Sequence, residues 1–260
     1  MKKFALDLSV RQVETPREGY VLLKLGVEGQ ALPEVHPGQF VEVLVKDSPT
    51  TFLRRPISIN FVDEERGELW LLLHVVGDGT QSISQLSVGD TLNCVFPLGN
   101  GFSVPEGTGK RVLLVGGGVG TAPLLQFGKV LKSHGHEPVF LLGGRSAGDL
   151  MQLDLFRQYG SVYVTTEDGT DGERGFVTNH SVLDRERFDQ ISTCGPKPMM
   201  VAVARWAAAH DVVCEASLEN LMACGLGACL CCVEKKADGH NVCVCKEGPV
   251  FNVKELSWLS

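Results

Sequence analysis

The densest chemistry in this sequence is Cys224-Gly225-Leu226-Gly227-Ala228-Cys229-Leu230-Cys231-Cys232, with Cys243 and Cys245 a short way downstream. Cys224, Cys229 and Cys232 follow the C-x4-C-x2-C spacing of a plant-type [2Fe–2S] cluster, which needs a fourth, more distant thiolate. A loop that holds such a cluster has to curl so that its N–H groups face sulfide. Gly225 and Gly227 reach backbone conformations that a Cβ resists. A structural zinc site competes with this reading, but zinc recruits paired short spacings, and Cys243-Val244-Cys245 is not a second C-x2-C. Unliganded buried thiols are the third reading. Iron–sulfur is preferred. The fourth ligand stays open: Cys243 and Cys245 lie two apart, so on a strand both point the same way. Cys231 breaks the spacing and reads as a bystander.

A second group of residues suits phosphate. Gly116-Gly117-Gly118-Val119-Gly120-Thr121-Ala122-Pro123 stands between an apolar run and a helical one, where glycines admit close approach and a helix start offers free N–H groups. The run departs from G-x-G-x-x-G, because Thr121 holds the last position, and the next strand ends in Gly143-Gly144-Arg145 without a ribose-binding acid. Cys194-Gly195-Pro196-Lys197-Pro198-Met199 closes a later strand and opens a helix. Arg55-Pro56-Ile57-Ser58 offers a bidentate anion partner. In Gly77-Asp78-Gly79-Thr80, the threonine is placed to cap a helix over 81–86. Taken singly, each of these segments also reads as a turn or a surface arginine. His74 reads as a strand side chain rather than a catalyst, and the sequence shows neither a Ser/His/Asp set nor paired catalytic carboxylates.

The elements that must carry these groups change texture along the chain. Short apolar runs at 20–25, 40–45, 57–61, 69–76 and 91–96 are divided by Gly, Pro and Asp, as in an antiparallel barrel or sandwich. From about residue 108, strands at 111–115, 138–142, 161–166 and 190–194 alternate with helices at 122–134, 148–159 and 197–210. That alternation is the pattern of a parallel sheet with crossover helices. The last 45 or so residues show no long periodic element. The fold expected is α+β and multi-domain: a flavin-type barrel over 1–103, an α/β nucleotide-binding domain over 104–215 and a small [2Fe–2S] module over 216–260. With 43% hydrophobic and 21% charged residues among 260, disorder is excluded. A net charge of −7 argues against a nucleic-acid partner. Apolar runs are too short for a membrane span, and Asp7 interrupts any secretory signal core. Seven of the nine cysteines lie between Cys214 and Cys245, which suits a metal site in a cytoplasmic protein better than a disulfide framework.

The order R-P-x-S, G-T before a helix, G-G-G-x-G-x-A-P and C-G-P-x-P-M resembles the ferredoxin–NADP reductase superfamily. The C-terminal stretch, with Cys224 to Cys232 followed by Cys245-Lys246-Glu247-Gly248-Pro249-Val250-Phe251, narrows it. Over essentially the whole chain, the sequence is similar to the electron-transfer subunits of two-component, NAD-linked (class 1B) dihydroorotate dehydrogenases. The resemblance implies FAD, a [2Fe–2S] cluster and NAD as co-substrate. It places Arg55, Pro56, Ile57 and Ser58 on FAD, with Arg55 at the pyrophosphate and Ser58 near the ring. Leu72, Leu73 and His74 border the flavin, and Gly79 and Thr80 hold phosphate. Gly116, Gly117, Gly118, Gly120 and Thr121, with Cys194, Gly195, Pro196 and Met199, take the nicotinamide nucleotide, Cys194 lying near hydride transfer. Cys224, Cys229, Cys232 and Cys245 become the cluster ligands. Many superfamily members carry a flavin-facing Tyr where Ile57 stands.

The resemblance also implies a partner, an FMN-containing dihydroorotate-oxidising subunit in a heterotetramer of two copies of each chain. The pathway would be de novo UMP synthesis. A flavin can trade single electrons with a cluster and hydride with NAD, which explains the three groups in one chain. The alternatives are a related subunit of a ferredoxin-dependent NAD(P) reductase or sulfur reductase and, in another class, a zinc-stabilised nucleotide-binding regulator. Glu167 and Asp168 at the end of the 161–166 strand favour NAD over NADP.

Overall fold

The structure, a computed structural model, describes residues 2–46 and 48–259. In the first hundred residues, side chains that alternate along each strand bury one face and close a barrel. Its strands are β1 (Phe4–Arg17), β2 (Tyr20–Gly26), β3 (Phe40–Val43), β4 (Arg55–Asp63), β5 (Glu68–His74) and β6 (Thr91–Leu98), with α1 (Asp78–Ser84) between the last two. The closed order is β1-β2-β5-β4-β3-β6. Leu8, Val10, Leu23, Leu25, Val41, Val43, Ile59, Leu71 and Phe96 fill the interior. The long β1, which the strand pattern above omitted, bends at register shifts between Val10 and Gln12 and between Glu14 and Arg17. Its far end therefore reaches beyond the barrel wall.

The second half contains β7 (Arg111–Gly117), α2 (Ala122–Ser133), β8 (Glu137–Gly144), α3 (Leu153–Tyr159), β9 (Ser161–Thr166), β10 (Glu173–Arg174), α4 (Val182–Arg185), β11 (Gln190–Cys194), α5 (Lys197–Ala209) and β12 (Val213–Ser217). After these come β13 (Val233–Lys235), β14 (Asn241–Cys243), α6 (Val244–Glu247) and β15 (Val250–Asn252). One sheet of order β10-β9-β8-β7-β11-β12-β15 results, parallel except for β15, which adds antiparallel to β12. Phe127 of α2 and Phe156 of α3 cover one face of this sheet. Val203, Ala204 and Ala207 of α5 cover the other. The helix expected over 148–159 is interrupted. Gln152 adopts φ 58 before α3 begins, and its side chain exchanges two hydrogen bonds with Asn60 of β4, at 3.0 and 3.1 Å.

That exchange belongs to the seam between the barrel and the sheet domain. Asn60 also donates to the Ala122 carbonyl at 3.0 Å, and Gln126 accepts from the Val62 N–H at 3.0 Å. The C-terminal residues touch both halves. β15 extends the sheet, while Asn100, just after β6, donates its N–H to the Gly248 carbonyl at 2.6 Å. No helix among the described residues is long and apolar enough to cross a membrane.

Candidate functional site

The cysteine loop turns on itself through three left-handed residues, Gly225 (φ 64), Gly227 (φ 78) and Leu230 (φ 59). This curl aims N–H groups at sulfur. Leu226 donates to Cys224 Sγ at 3.4 Å, Gly227 to Cys245 Sγ at 3.1 Å, and Cys245 to Cys232 Sγ at 3.3 Å. Among the described residues, no three His, Cys, Asp or Glu side chains converge on one point. The four thiols instead stand as two pairs, Cys224 with Cys229 and Cys232 with Cys245. Two thiolates per iron is what a binuclear cluster takes. Burial alone would raise the Cys224 thiol, but hydrogen bonds from the Leu226, Cys229 and Ala228 amides and from the Cys229 thiol outweigh it and bring it to about 6. Cys245 is pushed up to about 12 by burial and by the Cys232 thiol beside it. Metal displaces such protons readily once bound. The donor set and its amides suit a [2Fe–2S] cluster.

Cys243 and Cys245 differ in their local setting. The chain leaves β14 at Cys243 and enters α6 at Val244, so the two thiols do not share a strand face. Cys245 joins the loop, whereas Cys243 spends its N–H on Glu247 at 2.9 Å.

A cleft of about 850 Å³ opens at the C-terminal ends of the parallel strands. In chain order, β9-β8-β7-β11-β12 reads 3-2-1-4-5, and ligands bind such sheets where the order reverses, here between β7 and β11. The two turns expected to hold nucleotide meet at that point. A Cβ on Gly120 would lie 2.4 Å from Gly195 Cα, and one on Gly117 would lie 2.8 Å from Met199 Sδ. Gly118, at φ 57, has open space before it. The cleft is lined by His74, Gly117, Gly118, Gly120, Gly195, Pro196 and Met199 from the predicted set. Gly116 packs under Leu124 and Thr121. The Thr121 hydroxyl turns back to the Gly118 carbonyl at 3.0 Å. Cys194 is buried, and burial holds its thiol far above the ordinary range, with Ser217 in hydrogen-bond reach.

On the barrel, Arg55 leans on Gly79, where a Cβ would lie 2.8 Å from its Nε, so the R-P-x-S strand and the G-T turn form one half-buried corner. A Cβ at Gly79 would push that guanidinium aside, so the glycine leaves it against the turn, a corner suited to the FAD pyrophosphate. Thr80 does not cap a helix over 81–86. The helix starts at Asp78, and the Thr80 hydroxyl accepts from Val76 and Gly77 at 3.0 and 3.2 Å. Pro56 pairs across the sheet with Glu42 and Ser58 with Phe40. Ile57 leans on the barrel interior. Leu72 and Leu73 bury their side chains in different clusters, so the surface they offer is backbone. His74 stacks on Tyr20, with ring centroids 4.4 Å apart and planes 7° apart.

Three residues here, Glu42, Glu219 and Phe176, went unread in the sequence, whereas Glu167 was read as an acid favouring NAD. Glu42 is 1% exposed beneath the cysteine loop, and its two carboxylate oxygens have no hydrogen-bond partner. Burial, offset in part by Arg54, raises it to about 7. Glu219 lines the cleft with its carboxyl raised by desolvation. Glu167 and the exposed Phe176 line the end of the cleft beyond β8. Asp168 instead serves its own turn, accepting from Thr170.

An antiparallel barrel, a parallel sheet with a nucleotide cleft at its switch point, and a thiol loop define a reductase of the ferredoxin–NADP reductase fold bearing an iron–sulfur module. Comparison with known proteins narrows the class. Residues 219–257 match the iron-sulfur cluster binding domain of dihydroorotate dehydrogenase B, and residues 114–205 match the oxidoreductase NAD-binding domain. The chain is 41% identical over 254 residues to the dihydroorotate dehydrogenase B (NAD(+)) electron transfer subunit of Listeria welshimeri, covering 95% of this chain and 96% of that one. The counterpart from Caldanaerobacter subterraneus is 41% identical over 226 residues, 85% and 87% of the two chains. Among solved structures, a chain of an NADH-dependent reduced ferredoxin-NADP oxidoreductase superposes with a TM-score of 0.85 at 30% identity, over 96% of this chain and 90% of that one. The chain belongs to the family of dihydroorotate dehydrogenase B electron transfer subunits.

Proposed function

We propose that this chain carries electrons between an FMN-containing, dihydroorotate-oxidising subunit and NAD+ in de novo UMP synthesis, as a cytoplasmic heterotetramer with two copies of each chain. Three units serve this role: residues 1–103 for FAD, 104–215 for NAD and 216–260 for the cluster. Bound together, these groups let a two-electron hydride carrier exchange with a one-electron cluster through the flavin. The observation that carries the reading is the position of the barrel corner. The thiol loop presses on one flank of it, where a Cβ at Gly225 would lie 2.7 Å from Glu42 Cγ and 3.0 Å from Leu98 Cδ1. The nucleotide cleft opens on another flank, at His74 and Tyr20. A flavin held at Arg55 and Ser58 therefore has the cluster on one side and the nicotinamide on the other.

Each residue set has a defined task. Arg55, Pro56, Ile57, Ser58, Gly79 and Thr80 hold FAD phosphate and ring, with Leu72, Leu73 and His74 bordering it. Gly116, Gly117, Gly118, Gly120 and Thr121, with Cys194, Gly195, Pro196 and Met199, seat NAD. Cys224, Cys229, Cys232 and Cys245 ligate the cluster. Glu167 faces the adenosine end, where an acid accepts from ribose hydroxyls and repels a 2′-phosphate. The resemblance to the ferredoxin-NADP oxidoreductase chain supports a second reading, exchange with ferredoxin and NADP. Reconstitution separates the two. Dihydroorotate should reduce NAD+ only when an FMN subunit is added, and NADH should reduce the flavin faster than NADPH. A strong NADPH preference, or dihydroorotate oxidation by this chain alone, overturns the proposal.

A further inference from the structure

The tip of the barrel's first hairpin crosses to the far wall of the nucleotide cleft. Arg17, the last residue of β1, pairs with Tyr20 across a two-residue turn and reaches Asp149 beyond β8 in an ion pair. The hairpin is anchored at its turn by the Val75 N–H, which donates to the Gly19 carbonyl at 2.8 Å. Asp149 is itself fixed, because its other oxygen accepts from the Ser146 N–H at 2.9 Å and the Ser146 hydroxyl at 3.2 Å. The Arg17 guanidinium lies 5.9 Å from the Tyr20 ring centroid, beside the Tyr20–His74 stack.

This pair is a poor explanation for how the two domains stay together. The seam is already held by Asn60, Gln126 and Gln152, with Lys129 donating to the Val62 carbonyl at 2.9 Å. A partly exposed ion pair adds little to such a seam. Its place and charge matter more. Of the charged residues lining the cleft, Glu18, Asp149, Glu167 and Glu219 are acids, while Arg17 and Arg145 are the cations. A dinucleotide seated from β11 across β7 and β8 to β9 spans three strand spacings, roughly 14 Å, which puts its pyrophosphate near the ends of β7 and β8, the side on which Arg17 reaches Asp149. Arginine has five donors in a fork, so it can keep Asp149 and still give N–H groups to a phosphate.

We propose that Arg17, contributed by the barrel, is a dinucleotide-binding residue that closes over the pyrophosphate, and that Asp149 is the positioning residue holding its guanidinium there. The proposal rests on reading the cleft as the NAD site. The test is anaerobic titration of the purified full-length holoprotein, fully reduced beforehand so that it takes up no hydride, with NADH and with reduced nicotinamide mononucleotide, followed by calorimetry, alongside flavin and cluster absorbance of the oxidised protein and Tm. Wild type binds NADH. Arg17→Ala weakens NADH by about tenfold or more, as loss of a charged hydrogen bond implies, with both absorbances unchanged. Arg17→Lys recovers part of the loss, Asp149→Asn gives a smaller one, and the mononucleotide, which has no pyrophosphate, is affected less. Arg17→Ala binding NADH within twofold of wild type overturns the proposal and leaves the NAD site standing. Equal weakening of dinucleotide and mononucleotide together with a lower Tm also overturns it, because that is the signature of a structural tie. Failure of wild type to bind NADH overturns the NAD reading itself.

Discussion

Gly120→Ala should separate the nucleotide turn from the rest of the machinery. A Cβ there would stand 2.4 Å from Gly195 Cα, 2.6 Å from Gly195 N and 2.7 Å from the Cys194 carbonyl carbon. Carbon atoms rest about 3.5–4.0 Å apart, so the two turns must part by roughly 1 Å. All three neighbours are backbone, and no flexible side chain can give way. Overpacking of this kind costs about 1–3 kcal/mol, and at roughly 2–4 °C per kcal/mol the Tm should fall by roughly 2–12 °C. The same displacement separates the β7 turn from the Cys194–Met199 turn, the two surfaces that would grip NAD. The dissociation constant for NADH should therefore rise by about tenfold or more, since 1.4 kcal/mol is a factor of ten. Flavin and cluster absorbance should be unchanged, because Arg55 and the thiol pairs lie on other elements. Gly107→Ala, away from the cleft, is the control. It meets nothing within 4 Å, so only its φ of 81 is strained, by about 1–2 kcal/mol. NADH affinity within twofold of wild type and an unshifted Tm in Gly120→Ala would refute the contact argument.

The other predictions follow from single contacts. Cys245→Ser should abolish the visible absorption and electron paramagnetic resonance of a reduced [2Fe–2S] cluster, while Cys243→Ser retains both; the reverse pattern would return the fourth ligand to Cys243. Glu167→Arg should shift the flavin's preferred reductant from NADH towards NADPH by about tenfold or more, since it exchanges repulsion of a 2′-phosphate for a bidentate partner; an unchanged ratio places the adenosine elsewhere. Glu42 should make stability pH-dependent. Its carboxyl is raised from 4.5 to about 7, so the folded chain binds this proton more tightly than the unfolded one. Stability from this group is then greatest below about pH 4.5 and falls as pH rises to about 7, by at most about 3 kcal/mol at 1.36 kcal/mol per pH unit. Glu42→Gln should flatten that slope in denaturant titrations at about pH 5 and about pH 8, and an equal slope in both proteins would refute it.

Local pattern made much of this molecule legible and long-range packing hid the rest. The strands of the barrel, the glycine turn of β7 and the cysteine spacing announce themselves because each depends on residues close in sequence. Glu42 does not. In Val41-Glu42-Val43, period-two alternation assigns it to solvent, and only the cysteine loop, arriving from 180 or so residues away, seals that face and buries it. Gln152 fails for a similar reason, since its left-handed backbone serves Asn60 across the domain seam and breaks a helix that local pattern would continue. The different settings of Cys243 and Cys245 were unreadable because the period-two rule presumed one strand, whereas the chain turns into α6 between them. Phe176 drew no reading from the sequence, since only the folded chain brings it to line the same cleft as Glu167.

The same distinction explains why the barrel is the organising part of the electron path. Its β3 and β6 meet the thiol loop, its β4 and α1 make the Arg55 corner, and its β1–β2 tip and His74 reach the nucleotide cleft. Three surfaces of one rigid, closed sheet thus fix distances that no flexible linker could hold. A substitution that loosens the barrel wall without touching a binding residue should therefore slow electron exchange on both flanks at once. Phe96→Ala is such a change. The ring is fully buried inside β6, and its loss should cost about 3–5 kcal/mol. In stopped-flow, reduction of the flavin by NADH and reoxidation of the cluster should slow together in Phe96→Ala, whereas Gly120→Ala slows only the first. If Phe96→Ala retained wild-type rates on both flanks at full cofactor content, the barrel would be a passive support rather than the element that sets the spacing.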